Sequence, residues 1–465
     1  MKISDAFKLI LKIEDLVDTE VFTWKDFKMW PLMRRILWFK LVSVSSINKA
    51  DKNKNRLVPL VRFKNLMSKI YCSFKENKAK EDSEIIYFSR PAYLQELKSQ
   101  GYIDRIVDPL IYSLNDGKKT TKYYFSKIPK EKQLIYEYFD FYQKSPLKNI
   151  KISSHQKKVL FEISKFLDIN SIELHESYAN ELLIFVGYYF SAKKLLENHK
   201  NLEEVYLACW YFSDAMGVCA AADELGIKTI DIQHGKQGKY QAMYSGWTKL
   251  PINGYALMPD SFWCWGQPSC EHILASSPNR KKHIPFIGGY PWIEYYKKNM
   301  LPVDSKTTDS KIRVLLTMQT PQAGNLERIP DFIIDFLSSS TIEDVHFTFR
   351  YHPNDIYGYH YCKERLTSID PVLYSIDRGT QNLYDVFRVV THHITAYSSC
   401  CYEASMFNVP TLLYGEESKE IYEDDINNHT FTWINSNEES LRAWLLLDSY
   451  DKPNTAMPYI DKIHN

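Results

Sequence analysis

The run Glu84-Ile-Ile-Tyr-Phe-Ser89 opens a series in which short, apolar, strand-like segments alternate with helical ones almost to the end of the chain. Neighbouring parallel strands are joined by crossover helices, and those helices cover both sheet faces, so the alternation points to parallel sheets. The clearest unit predicts a strand at Val205 to Trp210, a helix at Ser213 to Leu225 stopped by Gly226, and a strand at Lys228 to Ile232 before the turn Gln233-His234-Gly235. Short strands are expected at Phe262 to Trp265 and Ile284 to Ile287. The polar stretch Asp304 to Lys311 breaks the pattern and reads as a linker. A second series predicts strands at Arg313 to Thr317, His346 to Arg350, Val372 to Ser375, Val389 to Ile394 and Pro410 to Tyr414, with helices at Asp331 to Leu337 and Asn382 to Phe387. The expected fold is α/β, with two Rossmann-like, doubly wound domains facing a cleft over residues 83–303 and 304–465, and a helical extension over 1–82.

With 465 residues the chain is too long for one ordinary core. Hydrophobic residues make up 45% and charged residues 25%, the profile of a folded soluble protein. No run approaches the ~20 apolar residues of a spanning helix, and the N-terminus lacks a signal-peptide core, so a cytoplasmic location is expected. The eight cysteines form no C-x-x-C pair and read as reduced, mostly buried thiols. The net charge of +1 is unevenly spread: Lys25 to Glu81 holds 15 Lys or Arg against 4 Asp or Glu. Within it, Trp24 to Lys40 mixes aromatic and basic residues and admits two readings. The segment rests peripherally on the anionic inner face of the membrane, or Trp24, Trp30, Leu37 and Trp38 pack on the first domain while the charges face water. Residues 49–58 read as a connector, and no nucleic-acid partner is expected.

In doubly wound sheets ligands sit beyond the carboxyl ends of strands, so polar turns that follow strands are the places to look. Gln233-His234-Gly235-Lys236 offers a histidine placed as a general base, with a glycine that lets a substrate approach; alternatively it is a hydrogen-bonded turn. Arg350-Tyr351-His352-Pro353 offers an imidazole and a guanidinium for phosphate on a turn stiffened by proline, or a plain surface loop. Ser398-Ser399 sets two hydroxyls before a helix whose free N–H groups and dipole suit phosphate, or a simple N-cap. Glu403, one helical turn on, is placed to accept from ribose hydroxyls. No phosphate loop, G-x-G-x-x-G or Asp-x-Asp is present. His392-His393 and Cys400-Cys401 diverge on a strand and a helix, so no metal site and no resident cofactor are expected.

These turns resemble the motifs of bacterial GT-B glycosyltransferases of surface-polysaccharide synthesis, the group with Kdo transferases, sialyl- and polysialyltransferases and teichoic-acid glycerophosphotransferases. Arg350-Tyr351-His352-Pro353 resembles their His-Pro motif, Ser398-Ser399 their paired serines, Gln233-His234-Gly235 their His-Gly turn, and Glu403-Ala404 with Pro410 their Glu-Ala…Pro segment. The resemblance covers about residues 200–420. It implies a metal-independent, inverting glycosyltransferase acting in capsule or lipopolysaccharide synthesis. The nucleotide sugar would be a co-substrate, CMP- or CDP-linked, and the acceptor a glycan or lipid-linked glycan. On that reading His352, with Arg350, Pro353, Ser398 and Ser399, meets the donor phosphate and Glu403 the ribose. His234 is the acceptor-side base, flanked by Gln233, Gly235 and Lys236. The acidic pair before glycine that carries the base in sialyltransferases is missing; Asp223-Glu224-Leu225-Gly226 is only a loose echo, which favours Kdo-like or glycerophosphate-like transfer. CDP-polyol phosphotransfer and a silent glycan- or nucleotide-binding role are the alternatives.

Overall fold

The computed structural model describes residues 2–47, 82–97, 101–114, 117–129, 132–141, 146, 147, 149–299, 311–319, 328–339, 344–352, 355–379 and 381–447. The expected connector at 49–58, most of the expected linker, Cys72 and Pro353 lie outside the described residues.

Among the described residues the large sheet of each domain is all-parallel. The first takes β1 (Ile85–Ser89), β2 (Thr120–Tyr124), β3 (Phe139–Asp140), β4 (Glu204–Ala208), β5 (Lys228–Ile232), β6 (Ser261–Cys264) and β7 (Ile284–Ile287). They lie side by side as β7-β6-β5-β4-β1-β2-β3. The second takes β8 (Ile312–Thr317), β9 (Val345–Arg350), β10 (Tyr374–Asp377), β11 (His392–Thr395), β12 (Thr411–Leu413) and β13 (Thr432–Trp433), ordered β10-β9-β8-β11-β12-β13. Each sheet starts at its middle, winds one way for three strands and then the other way from the fourth. The winding therefore reverses between β1 and β4 and between β8 and β11, and this is where doubly wound sheets open a crevice at their carboxyl ends.

Two expected strands shift. Val389 and Val390 donate their N–H groups to the Val386 carbonyl at 3.0 and 3.1 Å, closing the helix Leu383–Phe387, so β11 begins only at His392. Pro371–Leu373 forms a short 3-10 turn capped by Asp370, and β10 begins at Tyr374. Local hydrogen bonding outweighed the β-propensity of Val389-Val390 and of Val372.

The N-terminal helices α1 (Ile3–Leu16) and α2 (Trp30–Ile47) share one core with β1, β4 and the helix pair α3 (Ser171–Leu196) and α4 (Ser213–Leu225). Trp30, Leu37 and Trp38 are buried in it. Arg34 is fully buried, paired with Glu14, bonded to the carbonyls of Ala242, Ser245 and Gly246 and stacked over Trp247. The membrane reading of this segment is corrected at these residues: Trp30, Trp38 and Arg34 have no face to offer to lipid. No helix among the described residues is long and apolar enough to cross a membrane.

The α3–α4 contact is close because Gly217 has no Cβ; one built there would meet Tyr189 N at 2.7 Å and Phe185 O at 2.8 Å. Backbone cannot retreat as a side chain can, so Gly217→Ala should destabilise the protein by about 1–3 kcal/mol, read as a lower Tm without loss of secondary structure. An unchanged Tm would mean the helices slide apart at no cost.

Candidate functional site

The expected histidine turn follows β5. Gln233 is buried and spent on holding it: its amide donates to the Gly235 carbonyl at 2.9 Å and its Oε1 accepts from Trp265 N at 2.6 Å. Gln233 therefore shapes the turn from behind. His234 projects forward, partly buried, with the Tyr211 hydroxyl 3.4 Å from its Nε2 and the Tyr93 ring beside it. Burial pushes its pKa down to about 4, with Arg90 and Arg105 adding to the depression against a backbone bond at Ile232. At neutral pH it is thus an uncharged imidazole, the form a general base needs. A Cβ at Gly235 would meet nothing within 4 Å, so open space lies in front of the turn. Lys236 reaches across to the second domain, its Nζ 2.8 Å from Asp425 Oδ2.

In the second domain, His352 follows β9, next to the central strand β8. Arg350, expected on phosphate, has its guanidinium committed to Asp377 Oδ2 at 2.5 Å and to the carbonyls of Gln381 (2.7 Å) and Gly379 (3.4 Å). It braces the turn, and only its charge reaches the neighbourhood of Cys400. Burial lowers the His352 pKa, and Arg105 lowers it further while Asp355 opposes. Ser398 and Ser399 lie in the turn after β11, at the point where the winding of this sheet reverses. Ser398 Oγ accepts from Cys400 N at 3.3 Å, whereas Ser399, the residue before helix α5 (Cys400–Ser405), makes no side-chain cap. That leaves the Ser399 hydroxyl without a cap bond to break.

Glu403 is buried on α5. Its Oε1 accepts from Tyr384 at 2.7 Å and from Tyr290 at 2.8 Å, and Arg105 Nη1 stands 4.0 Å away. Among the described residues its Oε2 has no hydrogen-bond partner, so this oxygen is the one open to a further donor. Tyr290 comes from the turn after β7, so one carboxylate oxygen gathers groups from both domains.

Arg105 is the residue the sequence reading missed. Burial works against its charge, but Tyr290, Glu403, Tyr384 and Cys400 more than offset that and raise its pKa. It follows the strand Gly101–Asp104 in a firmly built turn: Asp104 Oδ1 accepts from Ile106 N and Val107 N at 3.0 and 3.2 Å, and Tyr124 holds Oδ2 at 2.9 Å. Its charge acts on His234, His352, Glu403 and Cys400 alike. The strand Gly101–Asp104 pairs with Leu94–Leu97 and bridges to Leu134, outside the large sheets, and no motif marks it. Arg90 and Tyr290 were findable, since each lies in a turn directly after a strand. Arg90 is held by Asp214, its Nη1 3.0 Å from Oδ2.

The loose acidic echo lies elsewhere. Asp223 pairs with Lys282, and Glu224 holds Lys193 and Tyr189 at the end of α4 that leads into the start of β5, away from the cleft.

No family model matches the sequence, and no curated protein does. Solved structures match. MnaA of S. aureus with UDP superimposes with a TM-score of 0.50 over 82% of this chain and 93% of its own, at 13% identity. A Listeria monocytogenes protein assigned as a UDP-N-acetylglucosamine 2-epimerase also gives 0.50, with the same coverage and 14% identity. Likeness at such identity is one of fold, and the fold is GT-B-like.

Proposed function

We propose that the chain is a metal-independent, inverting glycosyltransferase that moves a sugar from a nucleotide donor to a surface glycan or lipid-linked glycan. The observation that carries this reading is Arg105, 4.0 Å from Glu403 and near enough for its charge to depress both His234 and His352, which follow strands of different sheets. Glu403 Oε2 accepts from the donor ribose, while His352, Ser398 and Ser399 face the phosphate. Arg350 holds the His352 turn, and the reading gives Pro353 the stiffening role that proline has after such a histidine. His234 takes the proton of the acceptor hydroxyl as that oxygen attacks the anomeric carbon and the bond to the phosphate breaks. Negative charge then grows on the departing phosphate, and fixed donors and the Arg105 charge lower the barrier without having to reorganise.

The donor nucleotide is the finer question. The motifs at 350–353, 398–399 and 233–235 favour a cytidine-linked donor with a Kdo-like sugar, or CDP-polyol phosphotransfer on the same residues. The UDP held by MnaA and the UDP sugar in the name of the Listeria protein favour uridine. A thermal-shift panel of CMP, CDP, UDP and GDP decides: a ligand at 100 times its Kd adds about 2.7 kcal/mol of apparent stability. The cytidine nucleotides should give the largest shift, and His352→Ala should abolish most of it. A clear UDP preference overturns the cytidine assignment. Turnover that disappears with a chelator overturns metal independence, and a protein that binds nucleotide but neither hydrolyses nor transfers is the silent binding member. A peripheral place on the inner membrane face stays part of the proposal through residues other than Trp30, Arg34 and Trp38, and flotation with anionic liposomes tests it.

A further inference from the structure

One carboxylate outside the catalytic group is bonded to both sides of the cleft. Asp425 sits on the short helix Glu423–Asn427, and its Oδ2 accepts from the Tyr402 hydroxyl at 2.7 Å and from Lys236 Nζ at 2.8 Å. The Lys236 ammonium also lies 3.9 Å from the centre of the Tyr422 ring and 5.5 Å from that of Tyr402. Lys236 and Asp425 are 13% and 9% exposed, so water screens the pair little. Asp425 itself is fixed, since its carbonyl accepts from Thr430 N at 2.8 Å and Phe431 N at 3.2 Å.

The sequence neighbours give this contact its meaning. Tyr402 immediately precedes Glu403 on α5, and Lys236 comes two residues after His234. One oxygen therefore ties the residue beside the ribose carboxylate to the turn that carries the base. We propose that Asp425 is a positioning residue that sets the spacing between His234 and Glu403 across the cleft. This rests on the reading of those two as acceptor-side base and ribose ligand. Transfer needs the attacking hydroxyl and its base aligned with the donor, and a displacement of about 1 Å costs on the order of 10²-fold in rate. The pair Lys236–Asp425 holds that alignment from outside the reacting atoms and touches neither Glu403 Oε2 nor the His234 ring.

Hydrogen exchange on the full-length chain tests the tie without any substrate. Asp425→Asn keeps an acceptor for Tyr402 but discards the charge that holds Lys236; Lys236→Met removes the other partner. Each single variant should speed exchange about tenfold in two separate segments, 233–241 and 400–405, while melting within a few degrees of the parent. Because the two groups act as one unit, the double variant should go no further than the larger single, and Lys236→Arg should keep the slow exchange. Acceleration confined to 400–431 in Asp425→Asn, with Lys236→Met silent, would make Asp425 a local brace and overturn the proposal. If the variants melt too far below the parent to compare, nucleotide titration decides. With CMP, CDP and UDP as probes, Asp425→Asn should keep the parent's affinity within about twofold while kcat falls by about 10²-fold. Affinity and kcat that fall together overturn it. A parent chain that binds none of these nucleotides, yet shows coupled exchange, refutes a cytidine or uridine donor and leaves the tie standing.

Discussion

Replacing His234 with alanine should lower kcat by about 10²–10⁴-fold while nucleotide affinity stays within about twofold of the parent. The asymmetry follows from position: the imidazole stands on the β5 turn beside open space, whereas the residues proposed to meet ribose and phosphate, His352, Ser398, Ser399 and Glu403, lie in the second domain. The pH profile sharpens the expectation. In the free protein the His234 pKa is pushed down to about 4, first by burial and then by Arg90 and Arg105. The acid limb of kcat/KM should therefore fall near that value. An anionic donor in the cleft offsets the two guanidinium charges and favours imidazolium, so the limb of kcat should lie at higher pH. Stability follows the same group. The unfolded chain takes up this proton near pH 6.5 and the folded chain only near 4, so its contribution is present above about 6.5 and is lost as pH falls through that window. His283, also pushed down to about 4, and His393, to about 3, add in the same direction. Alanine at 234 should remove the acid limb of activity but only part of the acid loss of stability. A variant with full turnover, or one whose nucleotide binding collapses too, ends the assignment of His234 as base.

The sheets were legible because their strands announce themselves. Ile284–Ile287 is an apolar run, Lys228–Ile232 alternates isoleucine with polar residues, and Gly226 takes the left-handed φ of 71° that a helix stop before such a strand requires. Turns directly after strands led to His234, His352 and Ser398. The role of Arg350 was not legible, since an arginine committed to Asp377 and two carbonyls reads in sequence like one waiting for phosphate. Arg105 was hidden for a different reason. Nothing near it in sequence touches the site; its partners Glu403, Tyr290 and Tyr384 lie far along the chain and meet only when both domains are folded. Of the two readings of the N-terminal aromatic and basic run, packing holds at Trp30, Leu37 and Trp38, but Arg34 was expected to face water and does not, because composition alone does not say which charge is met inside. There it is Glu14, placed by α1.

Arg105→Gln should cost about 10²–10³-fold in kcat, or about 2.7–4 kcal/mol, the scale of removing one donor that faces developing charge. The amide keeps much of the shape and discards the charge, so packing accounts for little of the loss. Arg105→Lys should recover only part of it, because a single ammonium cannot present the planar fork of donors that meets a phosphate. The variant also carries a signature that a structural role cannot produce. Arg105 depresses both His234 and His352, so the imidazoles on opposite sides of the cleft should titrate at higher pH together when its charge is removed. Proton or nitrogen NMR of the histidines reads this directly, with His283, which Arg105 does not depress, as the internal control. Two imidazoles that titrate as in the parent would place Arg105 outside the electrostatic reach of the site. The cleft would then need another cation to balance the leaving phosphate, and Arg90, which also depresses His234, is the one to remove next.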